Sequence, residues 1–168
     1  SPLVTESFNY VYEHVKKDVL LGSISGGTDI ISCFALNNPT LPVYKGELQC
    51  RGLGMDVDVF DNNGKSIRNK KGELVCRSPF PSMPISFWND KSGEKYHNAY
   101  FNKFKDTWAH GDFIEINDHG GVIIYGRSDA TLNPGGVRIG TSELYRVVES
   151  FLEVDDSLVI AQEWENDQ

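Results

Sequence analysis

The chain has 168 residues, with 24 acidic against 16 basic side chains and a formal net charge of −8. Its 39% apolar and 24% charged residues describe a soluble globular chain, long enough for one ordinary domain or two small pieces. A pI near 4.9 excludes a duplex-binding module, which needs clustered Lys and Arg, yet leaves room for a local site that takes one nucleotide. No apolar run approaches the roughly 20 residues of a membrane span. The start, Ser1-Pro2-Leu3-Val4-Thr5, has neither the basic nor the apolar region of a signal peptide. Seven acids (Glu149, Glu153, Asp155, Asp156, Glu163, Glu165 and Asp167) follow Val147 with no Lys or Arg among them, which reads as a solvated face and tail. Cys33, Cys50 and Cys76 are odd in number and widely spaced, as expected of reduced thiols in a cytosolic protein. His14, His97, His110 and His119 show no metal-ligand spacing.

In chain order, residues 4 to about 20 predict one amphipathic helix. Val4, Phe8, Val11, Tyr12, Val15 and Val19 recur at three- and four-residue steps, and Thr5 is a candidate N-cap. Leu20 to Ile24 predicts a buried strand that empties into the turn Ser25-Gly26-Gly27-Thr28-Asp29. Ligands in open α/β sheets sit at the carboxyl ends of such strands. From about 40 to 126 strands and turns dominate. Met55 to Phe60 alternates strictly, Asp61-Asn62-Asn63-Gly64 is a turn, and Gly72 to Cys76 is a further strand. Pro79, Pro81 and Pro84 make 78–84 irregular. Phe113–Ile116 and Val122–Tyr125 predict a hairpin around Asn117–Gly121. After the break at Asn133-Pro134-Gly135-Gly136, Leu144, Val147, Val148, Phe151 and Leu152 predict a helix face capped by Thr141 or Ser142. Ser157 to Ala161 is a last strand candidate. A helix and one strand make a poor domain, so the closing domain is expected to be incomplete.

Three constellations can carry chemistry. In Ser25-Gly26-Gly27-Thr28-Asp29, glycines admit close backbone approach, a threonine hydroxyl can bond a phosphoryl oxygen, and the carboxylate can hold Mg²⁺ against it. An ordinary turn explains the same residues. In Trp108-Ala109-His110-Gly111-Asp112 the carboxylate can accept two bonds from a ribose diol, or simply cap the turn that opens the hairpin. In Gly126-Arg127-Ser128-Asp129 and the run Leu132 to Glu143, Arg127 and Arg138 offer planar forks for diol or phosphate oxygens. The glycines there suit either a hinge or a plain linker.

Taken together these segments resemble the acyl-adenylating (AMP-binding) superfamily, which holds the acyl-CoA synthetases, firefly luciferase and peptide-synthetase adenylation domains. Its Tyr-Gly-x-Thr-Glu, Gly-Glu-Leu, Thr-Gly-Asp and Gly-Arg-x-Asp … Gly-x-Arg-Ile/Leu-Gly … Glu patterns match Ser25–Asp29, Gly72–Leu74, His110–Asp112 and Gly126–Glu143 in this order. The stretches FWND, AYFNKF and TWAHGD are most similar to its acetoacetate-activating branch. The resemblance implies an α+β / α/β fold. Residues 1–126 would be the C-terminal part of the large AMP-binding domain, an α/β edge plus a distorted antiparallel β-barrel. Residues 127–130 would be a hinge, and 131–168 the incomplete start of the small α+β C-terminal lid domain. It implies ATP-dependent joining of acetoacetate to coenzyme A through an acyl-adenylate, with AMP and pyrophosphate released, in the cytosol, feeding lipid and sterol synthesis. The partners implied are small molecules (acetoacetate, ATP and CoA), with Mg²⁺ and without nucleic acid.

Residue by residue, the resemblance gives Thr28 the phosphate and Asp29 the place of a Mg²⁺-linked glutamate, the two catalytic positions. Gly26 and Gly27 would line the nucleotide, Asp112 and Arg127 hold the ribose, and Arg138 approach the phosphate. Asp129 would be the hinge, and Gly135 and Gly136 the pantetheine tunnel. Ser25 replaces the aromatic that usually stacks on adenine. Gly26 stands where acetyl-CoA synthetases carry a tryptophan, which implies a roomier acyl pocket. The lysine-bearing pyrophosphate loop would precede Ser1, and the catalytic lysine of adenylation would follow Gln168. The chain alone is therefore expected to be inactive or nearly so. The alternatives are a related short- or medium-chain acyl-CoA synthetase, or a truncated, non-catalytic relic or interaction module with the same fold.

Overall fold

The computed structural model describes residues 3–129, 131–132 and 139–160. A short helix α1 (Thr5–Tyr10) runs into a π-helical turn at Val11–Val15 and stops. The long helix expected to residue 20 is thus cut short, and Val4 rather than Thr5 holds the N-cap position. Only Phe8 of its apolar stripe is buried, while Val4, Tyr10, Val15 and Val19 stay exposed. An apolar stripe sustains a helix chiefly through packing, and here most of the stripe has nothing beneath it. Residues 20–24 form no strand, and Leu20 and Ile24 are exposed, so the expected buried strand is replaced by extended chain leading into β1.

β1 (Ser25–Gly27), β2 (Ser32–Leu36) and β3 (Cys50–Arg51) form a three-stranded antiparallel sheet. β4 (Val57–Phe60), β5 (Gly72–Cys76), β6 (Trp108–Ile116) and β7 (Val122–Arg127) form a four-stranded antiparallel sheet in that order. Leu48 and Val122 exchange two 2.8 Å backbone bonds and tie the two sheets together. Among the described residues the sheets remain open, with no closed barrel. Their shared core holds Ile30, Phe34, Leu48, Val57, Val59, Leu74, Trp108, Ile114 and Val122. On the other side of β5, Val75 packs with Phe104 and Ala109. β5 is therefore covered on both faces, and all five of its residues are buried.

The alternation of β4 places Val57 and Val59 in the core, as its period of two requires. Its polar face is not solvated, however. Asp58 is 1% exposed and accepts bonds from Ser66 Oγ (3.1 Å), Arg68 Nη1 (2.5 Å) and the Val59 N–H (2.8 Å). A buried carboxylate is tolerated only with such partners. The Asp61–Gly64 turn forms as expected, with Asp61 Oδ1 accepting the Asn63 and Lys65 N–H groups at 2.9 Å each. The β6–β7 hairpin also forms, and Asn117 Oδ1 caps it by accepting the Gly121 N–H at 2.8 Å.

Helix α2 (Glu94–Tyr100), unexpected from a strand-rich texture, sits between β5 and β6. Asp90 Oδ2 accepts the Tyr96 N–H at 2.9 Å, and Tyr96 and Tyr100, one turn apart, pack on Trp108. β8 (Thr131–Leu132) pairs with β9 (Ile139–Gly140), and α3 (Thr141–Val148) follows. Gly140 occupies the N-cap of α3 without a side-chain bond, where Thr141 or Ser142 was expected. Residues 157–160 form no strand; instead the Val159 N–H reaches Tyr145 Oη at 3.0 Å. Residue 161 of that candidate strand lies outside the described residues.

Candidate functional site

Irregular pairing in β6 builds the site. Glu73 of β5 pairs with Phe113 and Val75 with Ala109, so His110, Gly111 and Asp112 together face Leu74 alone. Such a bulge re-aims side chains out of the regular alternation. Gly111 takes the left-handed conformation this requires (φ +83°), and a Cβ there would lie 2.7 Å from Arg127 Nη2. Asp112 in turn pairs across the ladder with Arg127 at the end of β7.

The bulge opens onto a cleft of about 1240 Å³. Gly26, Gly27, Thr28 and Asp29 line it from β1 and the following turn, where the Ile30 and Ile31 N–H groups both bond the Gly27 carbonyl. Tyr100 enters from the end of α2, and Asp112, Arg127 and Asp129 line it from β6, β7 and the residues after β7. Seven residues singled out in the sequence thus share one cavity. Gly135, Gly136 and Arg138 lie outside the described residues, as do Ser1 and Pro2.

A chain of contacts crosses the cleft wall. The Tyr100 hydroxyl donates to Asp29 Oδ2 at 2.5 Å. Its ring lies flat on Trp108, with centroids 3.6 Å apart and planes 12° from parallel. Trp108 Nε1 donates to His110 Nδ1 at 3.4 Å, which leaves Nε2 as the protonated nitrogen of the neutral ring. Nε2 faces Asp112 Oδ2 at 3.8 Å, and Asp112 Oδ1 lies 3.7 Å from Arg127 Nη1. Arg127 is engaged in a fork with Asp129, through Nε to Oδ1 at 2.9 Å and Nη2 to Oδ2.

Burial sets the electrostatics. Desolvation pushes the His110 pKa below its ordinary value and that of Asp112 above it, with the His110 and Arg127 charges opposing the Asp112 shift. Burial, then the bond to Asp29, raises the Tyr100 phenol, so Tyr100 is a fixed donor. The guanidinium of Arg127 holds Asp129 below the usual carboxylate range. The result is a buried carboxylate beside a more exposed guanidinium on the cleft wall, a pair able to engage a vicinal diol.

Two sequence readings meet their geometry here. A Cβ on Gly26 would lie 2.0 Å from the Ser32 carbonyl oxygen and 2.9 Å from Cys33 Cα, so glycine lets β1 approach β2. Among the described residues no cluster of three or more His, Cys, Asp or Glu could hold a metal. A magnesium ion needs less from the protein, because it takes one or two carboxylates and completes its shell with water and phosphate. Asp29 on the cleft wall suits that donor set. The sequence reading quoted the segments that hold Tyr100, Lys103, Ser128 and Glu73 but gave none of the four a role. The i, i+4 spacing of Tyr96 and Tyr100 was the signal that could have revealed the first.

No protein-family model matches the chain. Solved structures show its fold: the anthranilate CoA ligase AuaEII in complex with anthranoyl-AMP superposes with a TM-score of 0.65 at 22% identity, over 86% of this chain and 26% of that one. The acetoacetyl-CoA synthetase from Streptomyces lividans superposes with a TM-score of 0.85 at 45% identity, over 98% of this chain and 26% of that one. The fold is that of part of an acyl-CoA synthetase. Curated relatives narrow the class. The acetoacetyl-coenzyme A synthetase of Rhizobium meliloti (strain 1021) is 60% identical over 99% of this chain, and that of Gallus gallus 58% over 96%. Over nearly its whole length the chain is similar to acetoacetyl-CoA synthetases, and it spans about a quarter of the length of the relatives it matches.

Proposed function

We propose that the chain is the part of an ATP-dependent acetoacetate–CoA ligase that holds the AMP moiety and leads into the hinge. The reaction joins acetoacetate to ATP as an acyl-adenylate with loss of pyrophosphate; the CoA thiol then displaces AMP to give acetoacetyl-CoA. The observation that carries the reading is the convergence of Thr28, Asp29, Asp112 and Arg127 on one cleft in a chain 60% identical to an acetoacetyl-coenzyme A synthetase.

In this reading Asp112 and Arg127 bind the ribose hydroxyls, Asp112 accepting and Arg127 donating. Burial of Asp112 makes each bond stronger than it would be in water. Gly26 and Gly27 present backbone to the nucleotide, and the Thr28 hydroxyl donates to the α-phosphate. Asp29, held by Tyr100, would carry the magnesium ion, which supplies neutralising charge to the phosphates when bound. Arg138 reaches the phosphate and Gly135 and Gly136 line the path of the CoA arm. Residues 1–126 belong to the large domain, 127–130 to a hinge centred on Asp129, and 131–168 to the small domain. The free thiols of Cys33, Cys50 and Cys76 support a cytosolic setting, and acetoacetyl-CoA made there supports lipid synthesis. No helix of the described residues is long and apolar enough to cross a membrane.

Calorimetric titration of the 168-residue chain with AMP tests the reading. Binding is expected, and Asp112→Ala should weaken it by roughly tenfold or more, the cost of a hydrogen bond to a charged group. Absence of binding, or binding indifferent to Asp112→Ala, refutes it.

A further inference from the structure

The most heavily bonded carboxylate near the cleft belongs to Glu73, in the middle strand of the larger sheet. It is 3% exposed. Oε2 accepts from Lys103 Nζ at 2.6 Å, while Oε1 accepts from both the Gly111 N–H at 3.0 Å and Ser128 Oγ at 2.9 Å. The Ser128 N–H also bonds the Gly111 carbonyl at 2.8 Å. One oxygen atom therefore grips the residue before Asp112 and the residue after Arg127. A buried carboxylate is costly unless it is well paired, and a carboxylate serving fold alone has no need to seek these two segments.

We propose that Glu73 is a positioning residue for the nucleotide site. It sets the spacing between Asp112 and Arg127 and anchors the stationary side of the hinge. The inference rests on the ribose reading of Asp112 and Arg127 given above. Ser128 is held twice, by its N–H and by its hydroxyl, so it is the last fixed point of the larger body. Rotation of the following domain is confined to Asp129 and beyond. Lys103 neutralises the far oxygen, which leaves Oε1 to serve the two neutral donors.

The test uses the 168-residue chain with Glu73→Gln, Ser128→Ala and Asp112→Ala, singly and in pairs. Ser128→Ala leaves Glu73 paired with Lys103 and Gly111, so it keeps the test open if Glu73→Gln folds poorly. Two readouts are taken: amide hydrogen exchange at Gly111 and Ser128, and AMP affinity by calorimetry. Exchange at Gly111 should quicken roughly tenfold in Glu73→Gln, and at Ser128 several-fold in Ser128→Ala, with the urea midpoint of Ser128→Ala unmoved. AMP affinity should fall in both variants, and the fall should largely vanish when Asp112 is already alanine, because residues acting through one another are not additive. Unchanged exchange overturns the proposal, as do losses of affinity that simply add to that of Asp112→Ala. If the wild-type chain binds no AMP, the ribose reading fails and the positioning role falls with it. If it binds and the exchange rates do not move, the positioning role alone is wrong.

Discussion

Gly26→Ala separates two explanations of the same glycine. One holds that the residue leaves room for an acyl group; the other, that it lets two strands meet. The added methyl would sit 2.0 Å from the Ser32 carbonyl oxygen, 2.9 Å from Cys33 Cα and 3.0 Å from Ser32 C. All three are backbone atoms, so no side-chain rotation relieves the overlap. β2 cannot retreat freely, because its Phe34 and Ala35 are fully buried and it is paired to β3 on its other side. Ordinary contact begins near 3.5 Å, so β1 and β2 must part by about 1 Å or more, which breaks the pairing of Gly26 with Cys33. Overpacking of this kind costs about 1–3 kcal/mol, and a backbone obstacle places this case at the upper end. With a urea slope of about 1–3 kcal/mol per molar, the unfolding midpoint should fall by roughly 1 M. Tryptophan fluorescence in a urea titration reads it, with Thr28→Ala as a control expected to stay within about 0.5 kcal/mol of wild type. A Gly26→Ala midpoint equal to that of wild type would refute the strand-contact argument and favour the acyl-room explanation.

Trp108→Ala should cost about 3–5 kcal/mol, since the indole is 1% exposed and meets Phe34, Phe80, Tyr96, Tyr100 and Phe101; the urea midpoint shows it, and a loss under 1 kcal/mol contradicts the packing described. Tyr100→Phe keeps the stack on Trp108 and removes only the hydroxyl bond to the Asp29 carboxylate, so its loss in the same titration should be about 1.5 kcal/mol, the low end for a bond to a charged group. A cost equal to that of Trp108→Ala would mean the hydroxyl matters far more than the ring. Burial lowers the His110 pKa, so the unfolded chain takes up a proton at higher pH than the folded one does. The resulting stability is fully present above about pH 6.5 and is lost as pH falls towards the folded value, with a slope of at most about 1.4 kcal/mol per pH unit. Asp112, Asp29, Arg127 and Asp129 all act on this ring, so the comparison is made within one background. His110→Gln should flatten stability against pH between about 6.5 and 5, and an unchanged slope assigns the loss to other groups.

The sequence was most legible where structure is local. The turn at Asp61–Gly64, the β6–β7 hairpin and the strand at Gly72–Cys76 each rest on neighbours in sequence, and each forms. Helix length in the first twenty residues was less legible, because the stripe from Val11 to Val19 needs a surface to pack on and largely lacks one. The expected strand at 20–24 failed for a related reason: an apolar run is a strand only when a partner strand lies beside it. α2 was hidden because its commitment comes from Tyr96 and Tyr100 meeting Trp108, a contact invisible before the chain folds. The site divided in the same way. Thr28, Asp29, Asp112, Arg127 and Asp129 stand in recognisable order along the chain, whereas Tyr100, Glu73 and Ser128 join them through bonds spanning 71 and 55 residues.

The bulge in β6 gives the two sides of the cleft different supports. Asp112 lies in the bulge opposite β5, while pairing with Arg127 of β7, within a strand whose Trp108, Ile114 and Ile116 are sunk in the core. Its carboxylate is thus carried by a strand anchored in the close-packed core. Asp29 sits on a turn instead, beside the fully buried Ile30, and its carboxylate accepts the Tyr100 hydroxyl. The Asp112 end of the cleft is therefore set by strand packing, and the Asp29 end by a tight turn over Ile30 and one phenol hydroxyl.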